Sequence, residues 1–525
     1  LDALGIHLIE AGFPASNPKE LELFALLERE SFTTSEIVAF GMTRRRDAPA
    51  DQDEGLRILA ESFASVCTLV GKSSPLHVEK VVRVSPQENL AMISESIAFL
   101  HAQGKRVLFD AEHFFDGYAA NPGYALDTLR AAAAAGAERV VLCDTNGGSL
   151  PGGARAVVEA VHAELPDLAL GIHTHDDGGC AVANTLVAVE AGATQVQGTI
   201  NGIGERTGNA NLVTIIADLQ LKMGYEGLPA ERLARLTETA HLLDELLNRA
   251  PSPAQPYVGK NAFAHKAGLH TAAIRADAAT FEHIDPALVG NARDVLVSEL
   301  SGRGTVIEKA AEFGIELDEE AVERVLERVK QAEYEGFQFE AADGTLELLM
   351  REEAGLYEPL LMLLSWRVIS EQRFDSEGVE TEATIKIVAP PGPDEGEFIC
   401  TAEGNGPVNA LDKALRQALE QVYPHLRDLK LVNYKVRILD EARGTAAVTR
   451  VLIDVSDGER VWGTIGVSGD IIAASWEALV DSLTVGVQQP ASRTPSSTST
   501  TIRSARRDGG GSSQGDGWAE DPSIE

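Results

Sequence analysis

The stretch Leu-Ala-Leu-Gly-Ile-His-Thr-His occupies residues 168–175 and is followed directly by two aspartates. In a β-strand, side chains two residues apart share one face. His173 and His175 therefore point to the same side as the small Gly171, whereas Ile172 and the leucines point to the other side. Paired imidazoles on one face of a strand can hold a divalent metal. The alternative is a pair of ordinary polar residues at a strand end, and the surrounding sequence must decide.

Six further short apolar runs alternate with amphipathic, helix-like stretches through the first half of the chain. They are residues 7–12, 36–41, 66–71, 106–112, 139–145 and 194–200. This alternation is typical of a parallel sheet covered by helices. Because an eight-stranded barrel needs one more strand, we expect an α/β fold, a (β/α)₈ TIM barrel lacking its first strand. A doubly wound open sheet is the alternative, but no Gly-rich dinucleotide fingerprint follows an early strand.

Polar residues follow several of these runs at their carboxyl ends, where barrel enzymes place their active sites. Glu112 shares a strand face with Asp110, Thr145 ends the next run, and the two histidines end the one after it. A polar, Gly-rich loop, residues 201–211, comes after the last run. Any one of these could be a solvated strand end. Together at one rim they predict a metal-centred active site.

The remaining sequence predicts three further regions beyond a catalytic barrel at residues 1–227. Helical patterns dominate residues 228–364, where His265 and His270 lie five residues apart around a glycine. Residues 365–487 contain two strands-then-helix units, which predict an internal repeat in an α+β domain. The tail, residues 488–525, is rich in Ser, Thr, Gly and Pro, and we expect it to be disordered.

The composition argues against several classes of partner. The chain has 525 residues, with 45 Lys plus Arg against 80 Asp plus Glu, a formal net charge of −35. Such a surface repels phosphate backbones, so we expect no nucleic-acid partner. Four cysteines without paired ligand spacing fit a reducing, cytoplasmic setting. We expect no membrane partner, because no apolar run reaches spanning length.

Five stretches match a known family in combination, and they are residues 9–18, 171–175, 202–211, 261–270 and 403–412. Through them, residues 1 to about 487 resemble the 2-isopropylmalate/homocitrate synthase family. Residues 109–117 and 256–259 are similar to those of the family members that form citramalate. The resemblance implies a Claisen-type condensation of acetyl-CoA with a 2-oxo acid on a barrel that binds a divalent metal, Mg²⁺, Mn²⁺ or Zn²⁺.

For the citramalate-forming members the oxo acid is pyruvate, and the product, (R)-citramalate, leads toward isoleucine. Two alternatives remain open at this point. One is a 2-isopropylmalate synthase, which uses a branched oxo acid in leucine biosynthesis. The other is a catalytically incompetent fragment that binds only an effector. The size of the oxo-acid pocket would distinguish a citramalate-forming enzyme from a 2-isopropylmalate synthase, and a sequence does not measure pocket size.

The resemblance also implies residue roles. His173, His175 and Asn209 would be metal ligands, Thr145 would hold the carboxylate of the oxo acid, and Glu112 would lie beside the reacting centre. His270 resembles the family's general base, an imidazole suited to removing a methyl proton near neutral pH. Residues 365–487 resemble the family's allosteric domain, which implies a branched-chain amino acid effector and a homodimer.

Two departures from the family pattern stand out. Members usually carry Thr-Leu-Arg-Asp-Gly at the first strand, with an aspartate for the metal and an arginine for the oxo acid, and this sequence has no such stretch. This agrees with the strand count, and we expect an N-terminally incomplete version of the enzyme. The second departure is Asp176, which stands where the family usually has asparagine.

Overall fold

A computed structural model describes residues 1–488 apart from 266–269, 271–272, 275, 299–300, 373–377, 391–395, 440–443 and 445. The predicted disordered tail therefore lies outside the described residues, except for Gln488 at its start. The chain divides into two compact units, Leu1–Tyr334 and the part that begins at Glu335. The domain boundaries expected from the sequence, at 227 and 364, stay predictions. No helix among the described residues is long and apolar enough to cross a membrane.

The first unit is built on one parallel sheet whose seven strands follow chain order. The strands are β1 Leu8–Gly12, β2 Glu36–Met42, β3 Val66–Lys72, β4 Arg106–Glu112, β5 Arg139–Asp144, β6 Leu170–Thr174 and β7 Gln195–Gln197. The central strands are buried along almost their whole length, as parallel strands covered by helices are. The predicted α/β barrel with seven strands is confirmed.

Helices alternate with these strands and cover the sheet. They are α1 Pro18–Leu27, α2 Glu54–Glu61, α3 Pro75–His77, α4 Pro86–Ala102, α5 Phe114–Ala120, α6 Pro122–Ala134, α7 Pro151–Glu164, α8 Ala181–Glu190 and α9 Leu212–Leu221. Several begin where the sequence supplies a capping side chain. Asn17, Ser85 and Asn121 each accept a backbone N–H of the following first turn, and a proline comes next in each case. The apolar faces of these helices join the strands in one large core.

Residues 228–334 complete the first unit. Helices α10 Ala230–Leu233 and α11 Leu236–Leu246 lie at the start of this segment, and α12 Arg303–Glu312 and α13 Glu319–Glu335 lie at its end. Between them, the described residues form short 3₁₀ turns and a two-stranded ladder of β8 Ala264–His265 with β9 Asp294–Val295. A second core, which includes Leu4, Val213 and Leu236, joins this segment to the barrel.

The second unit is an α+β domain with a repeated order of three strands and one helix, as predicted. After α14 Asp343–Glu353, the first repeat is β10 Met362–Gln372, β11 Val379–Ala389, β12 Gly396–Gly404 and α15 Pro407–Leu419; the second is β13 Lys430–Ile438, β14 Thr449–Ser456, β15 Val461–Ser468 and α16 Ile471–Gln488. Each trio forms an antiparallel sheet, and the two helices pack in one shared core. The sequence reading missed β10 and β12, which are outer strands of the first sheet.

Candidate active site

A cavity of about 410 Å³ opens at the carboxyl ends of the barrel strands. It brings together four of the six predicted site residues, Glu112, Thr145, His173 and His175. The other lining residues are Phe13, Phe40, Met42, Val70, Lys72, Asp110 and Cys143. Each barrel strand from β2 to β6 contributes at or next to its last residues, so the cavity lies where the strand register predicts a shared rim.

The two histidines of the opening stretch face each other in this cavity. Their Nε2 atoms lie 3.3 Å apart, and the His173 Nδ1 lies 2.8 Å from the Oε1 of Gln197. A carboxamide oxygen only accepts hydrogen bonds, so His173 carries its proton on Nδ1 and presents an Nε2 lone pair toward His175. The pKa of His175 is lowered by burial, and by the nearby His173 and Arg206. A neutral imidazole is the form that binds metals.

Asn209 adds an oxygen to this pair. It forms an isolated antiparallel bridge with His175, and directly opposed residues of such a bridge have their side chains on one face. The Asn209 Nδ2 donates to the carbonyl of Ile203 at 3.3 Å, while its Oδ1 is buried and has no hydrogen-bond partner within the described part of the chain. Asn209 is not among the residues that line the cavity, but a buried amide oxygen on the residue opposed to His175 completes a donor set of two imidazoles and one oxygen that fits a divalent metal.

The described residues contain no cluster of three or more His, Cys, Asp and Glu side chains suited to a metal ion. This result is compatible with the predicted ligand set, because one of its three members is an asparagine. The chain's own contribution to a metal centre would therefore be two nitrogen atoms and one amide oxygen.

An acidic pair and a lysine line the neighbouring strands. Lys72 and Glu112 are register partners on β3 and β4, and their side chains form an ion pair. Asp110 lies one layer deeper and is 5% exposed. Burial raises the pKa of Asp110; a hydrogen bond from Gln197 opposes this shift, and the charge of Glu112 adds to it.

Thr145 is fixed by two neighbouring loops. Its hydroxyl accepts the backbone N–H of His113 at 2.9 Å, and its carbonyl accepts from Arg206 at 2.8 Å. Arg206 also forms a two-pronged ion pair with Asp177. His113 and Arg206 both have positive φ, 56° and 57°, a conformation that non-glycine residues adopt mainly at constrained sites. A hydroxyl that accepts one hydrogen bond keeps its proton to donate, so Thr145 can bind an anionic group.

Asp176, the second departure from the family pattern, serves the backbone. Its Oδ1 accepts the N–H of Ala181, the first residue of α8, at 2.9 Å. Its own N–H donates to the carbonyl of Gly208 at 3.0 Å, in the loop that carries Asn209. Asp176 does not line the cavity. Asp176 thus connects the end of β6 to the start of α8 and to the Gly-rich loop.

His270 is not among the residues that line the cavity. It lies exposed, and its ring stacks on that of Phe281 with the centroids 4.1 Å apart. His265 is half-buried, with Nε2 3.3 Å from the Oε1 of Glu282. Glu282 is in turn held by two hydrogen bonds from Arg293. The role of His270 as a base therefore stays a prediction.

Two polar residues at the site were not predicted from the sequence: Lys72, which lines the cavity, and Gln197, which contacts the lining residue His173. Lys72 directly follows the predicted run 66–71, is the last residue of β3, and could have been found by extending the run by one residue. Gln197 shares a strand face with Gln195, and its position beside His173 follows only from the register of β6 with β7. The signal available was the alternation Gln-Val-Gln at residues 195–197, which places two amides on one face.

Comparison with known proteins covers nearly the whole described chain. The HMGL-like family matches residues 1–241, the homocitrate synthase post-HMGL domain-like family matches residues 257–336, and the LeuA allosteric (dimerisation) domain matches residues 340–486. The three matches follow one another with short gaps. The cavity described above lies within the first of them.

Three curated relatives share about half of their residues with this chain. The (R)-citramalate synthase of Streptomyces coelicolor is 52% identical over 93% of this chain and 91% of its own length. The (R)-citramalate synthase of Synechocystis sp. is 48% identical over 93% of this chain and 91% of its own length. The (R)-citramalate synthase of Aquifex aeolicus is 47% identical over 92% of this chain and 91% of its own length. Identity at this level extends through both units of the structure.

Proposed function

The chain belongs to the (R)-citramalate synthase family, and we propose that it condenses acetyl-CoA with pyruvate to give (R)-citramalate and CoA. The observation that carries the proposal is the cavity that gathers His173, His175, Thr145 and Glu112 at the carboxyl rim of the barrel. These are the residue types that the reaction needs in one place. A 2-isopropylmalate synthase is not favoured, because the three relatives compared above are all (R)-citramalate synthases.

The reaction forms one carbon–carbon bond and breaks one thioester. The methyl carbon of the acetyl group gives up a proton to a base and bonds to C2 of pyruvate, whose carbonyl oxygen takes up a proton. Water then cleaves the thioester, which releases CoA and leaves the second carboxylate of citramalate. The methyl proton is too weakly acidic for water to remove, so a positioned base and a polarised carbonyl are both required.

Different residues of this chain would bind the oxo acid, hold the metal and remove the methyl proton. Thr145, with its hydroxyl proton free to donate, would bind the pyruvate carboxylate. A divalent metal held by His173, His175 and Asn209 would act as a Lewis acid on the carbonyl. Glu112, held by Lys72, would lie beside the reacting centre. His270 would accept the methyl proton.

The other partners follow from the second unit and the composition. The LeuA allosteric (dimerisation) domain match supports a homodimer and a branched-chain amino acid effector, in a pathway toward isoleucine. Which metal serves, Mg²⁺, Mn²⁺ or Zn²⁺, does not follow from the donor types. The four free cysteines support a cytoplasmic location. The net charge of −35 argues against a nucleic-acid partner.

The substrate test compares two oxo acids. We expect a higher kcat/KM with pyruvate than with 2-oxoisovalerate, measured as thiol release from acetyl-CoA at matched concentrations. A pocket closed around one methyl group admits an isopropyl group only by overpacking, which costs about 1–3 kcal/mol. Conversely, a larger pocket built for 2-oxoisovalerate would bind pyruvate more weakly by only about 1–3 kcal/mol for each missing methylene. A higher kcat/KM with 2-oxoisovalerate would contradict the proposal, and omission of either substrate is the control.

A further inference from the structure

Gln197 connects three strands of the barrel through its side chain. It is the last residue of β7, and its Oε1 lies 2.8 Å from the Nδ1 of His173 on the adjacent β6. Its Nε2 donates to the Oδ1 of Asp110 at 3.1 Å, on β4 across the barrel interior. His173 and Asp110 line the cavity, whereas Gln197 lies behind them.

The direction of these two bonds fixes the proton on His173. A carboxylate oxygen accepts and does not donate, so Asp110 requires the NH₂ end of Gln197. The carbonyl end must then face His173, whose Nδ1 has to donate. A neutral imidazole with its proton on Nδ1 has its lone pair on Nε2, the atom that faces His175 at 3.3 Å.

We propose that Gln197, anchored by Asp110, is a positioning residue that holds His173 in its Nδ1–H tautomer and so directs the Nε2 lone pair toward a divalent metal. This proposal rests on the metal site of the proposed function. Hydrogen bonds that fix a ligand imidazole from behind raise metal affinity without touching the metal. Here the hydrogen-bonding group is a carboxamide, and its orientation is set in turn by the hydrogen bond from Gln197 to Asp110.

The same strand offers a matched comparison for this role. Gln195 lies two residues before Gln197 and therefore on the same face. Its Oε1 is buried and has no hydrogen-bond partner among the residues that the structure describes. The Gln195→Met and Gln197→Met changes are chemically identical, and only the second removes a hydrogen bond to a histidine of the cavity.

The first experiment measures Mn²⁺ affinity of the metal-free protein from the EPR signal of free Mn²⁺. It is made at pH 8, because burial raises the pKa of the Asp110 carboxyl and the higher pH favours its ionised form. We expect Gln197→Met to weaken Mn²⁺ binding about 10–100-fold while the melting temperature of the metal-free protein stays the same. Gln195→Met should bind as the unchanged protein does, and the double change His173→Ala with His175→Ala should abolish binding. Excess Mn²⁺ should restore turnover of Gln197→Met.

The second experiment reads the tautomer directly and needs no metal. Histidine-labelled ¹⁵N spectra should show His173 protonated at Nδ1, with the resonance assigned by its loss in His173→Ala. Asp110→Asn allows Gln197 both orientations, so we expect a mixture of tautomers and a smaller loss of Mn²⁺ affinity. If Gln197→Met does not fold, the tautomer and the Mn²⁺ affinity of Asp110→Asn test the proposal instead. An unchanged tautomer and unchanged affinity in whichever variant folds would overturn the proposal.

The two proposals fail in different ways. An unchanged protein that binds no Mn²⁺ would remove the metal site of the proposed function, while the tautomer spectra would still test the role of Gln197. A protein that binds Mn²⁺ and keeps its affinity in Gln197→Met would remove only the positioning role.

Discussion

His270 stacks on Phe281 in an exposed position and does not line the cavity, yet the resemblance makes it the base. We expect His270→Ala to slow the exchange of acetyl-CoA methyl protons with solvent by about 100–10,000-fold, the usual contribution of a positioned acid or base. Pyruvate binding should change little, because no predicted pyruvate contact is removed. Proton exchange is followed by NMR in D₂O, with pyruvate binding measured by calorimetry.

The matched control for this change is His265→Ala. His265 lies next to Glu282, which Arg293 holds, so its loss should act on the packing of this segment. Methyl-proton exchange that is unaltered in His270→Ala but slowed in His265→Ala would transfer the role of base to His265. Slowing in both variants with a lowered melting temperature only in His265→Ala would keep the assignment to His270.

The residues of the site that could be predicted are those whose signal is local. His173 with His175 and Asp110 with Glu112 follow from the two-residue period of a strand, which needs no knowledge of its neighbours. Gln197 could not be identified in this way, because its role depends on a bond across the barrel to a residue 87 positions away. Long-range pairs of this kind are set by strand register and barrel closure.

At the level of elements, the strands that were predicted have a local apolar pattern in the sequence, and the strands that were missed lack one. The central barrel strands β3, β4 and β5 are buried on both faces and therefore appear as continuous apolar runs. β10 is exposed along most of its length, and β12 alternates between exposed and half-buried residues around Ile399 and Cys400. An outer strand that faces solvent carries little apolar pattern, so only its pairing partner β11 was visible in the sequence.

The link between Asp176 and α8 gives a prediction for this element. Removal of the acceptor in Asp176→Ala leaves the first N–H of α8 without its side-chain partner, which costs about 1 kcal/mol. We expect amide hydrogen exchange of residues 181–190 to become about fivefold faster, because exchange follows the local opening free energy. Mass spectrometry of the corresponding peptide measures this change.

Asp176→Asn is the control for that experiment. Asparagine keeps an acceptor oxygen at the same position and removes the charge, so exchange of α8 should remain close to that of the unchanged protein. Fast exchange in Asp176→Asn would contradict the hydrogen-bond account and show that the charge at this position stabilises the helix N-terminus. Unchanged exchange in both variants would remove the structural role of Asp176 altogether.

The whole molecule combines a barrel that carries the candidate site with a unit that matches an allosteric domain. Inhibition by an amino acid bound to the second unit requires a coupling free energy between the two sites, typically about 1–3 kcal/mol. We expect isoleucine to slow thiol release with pyruvate and to raise the melting temperature, since a ligand stabilises the state that it binds. Leucine and valine test the choice among branched side chains, and alanine is the control.

Coupling between two sites is reciprocal, and this supplies the sharper test. If isoleucine weakens the binding of pyruvate by a given factor, pyruvate must weaken the binding of isoleucine by the same factor. Calorimetric titration of isoleucine at increasing pyruvate concentrations, and of pyruvate with and without saturating isoleucine, measures both sides of this relation. Competition for the barrel cavity would instead make the apparent Kd of isoleucine rise in proportion to pyruvate without limit, whereas coupling through the second unit makes it reach a plateau. A linear rise, or an absence of any effect of the three branched amino acids, would contradict a regulatory role for the second unit.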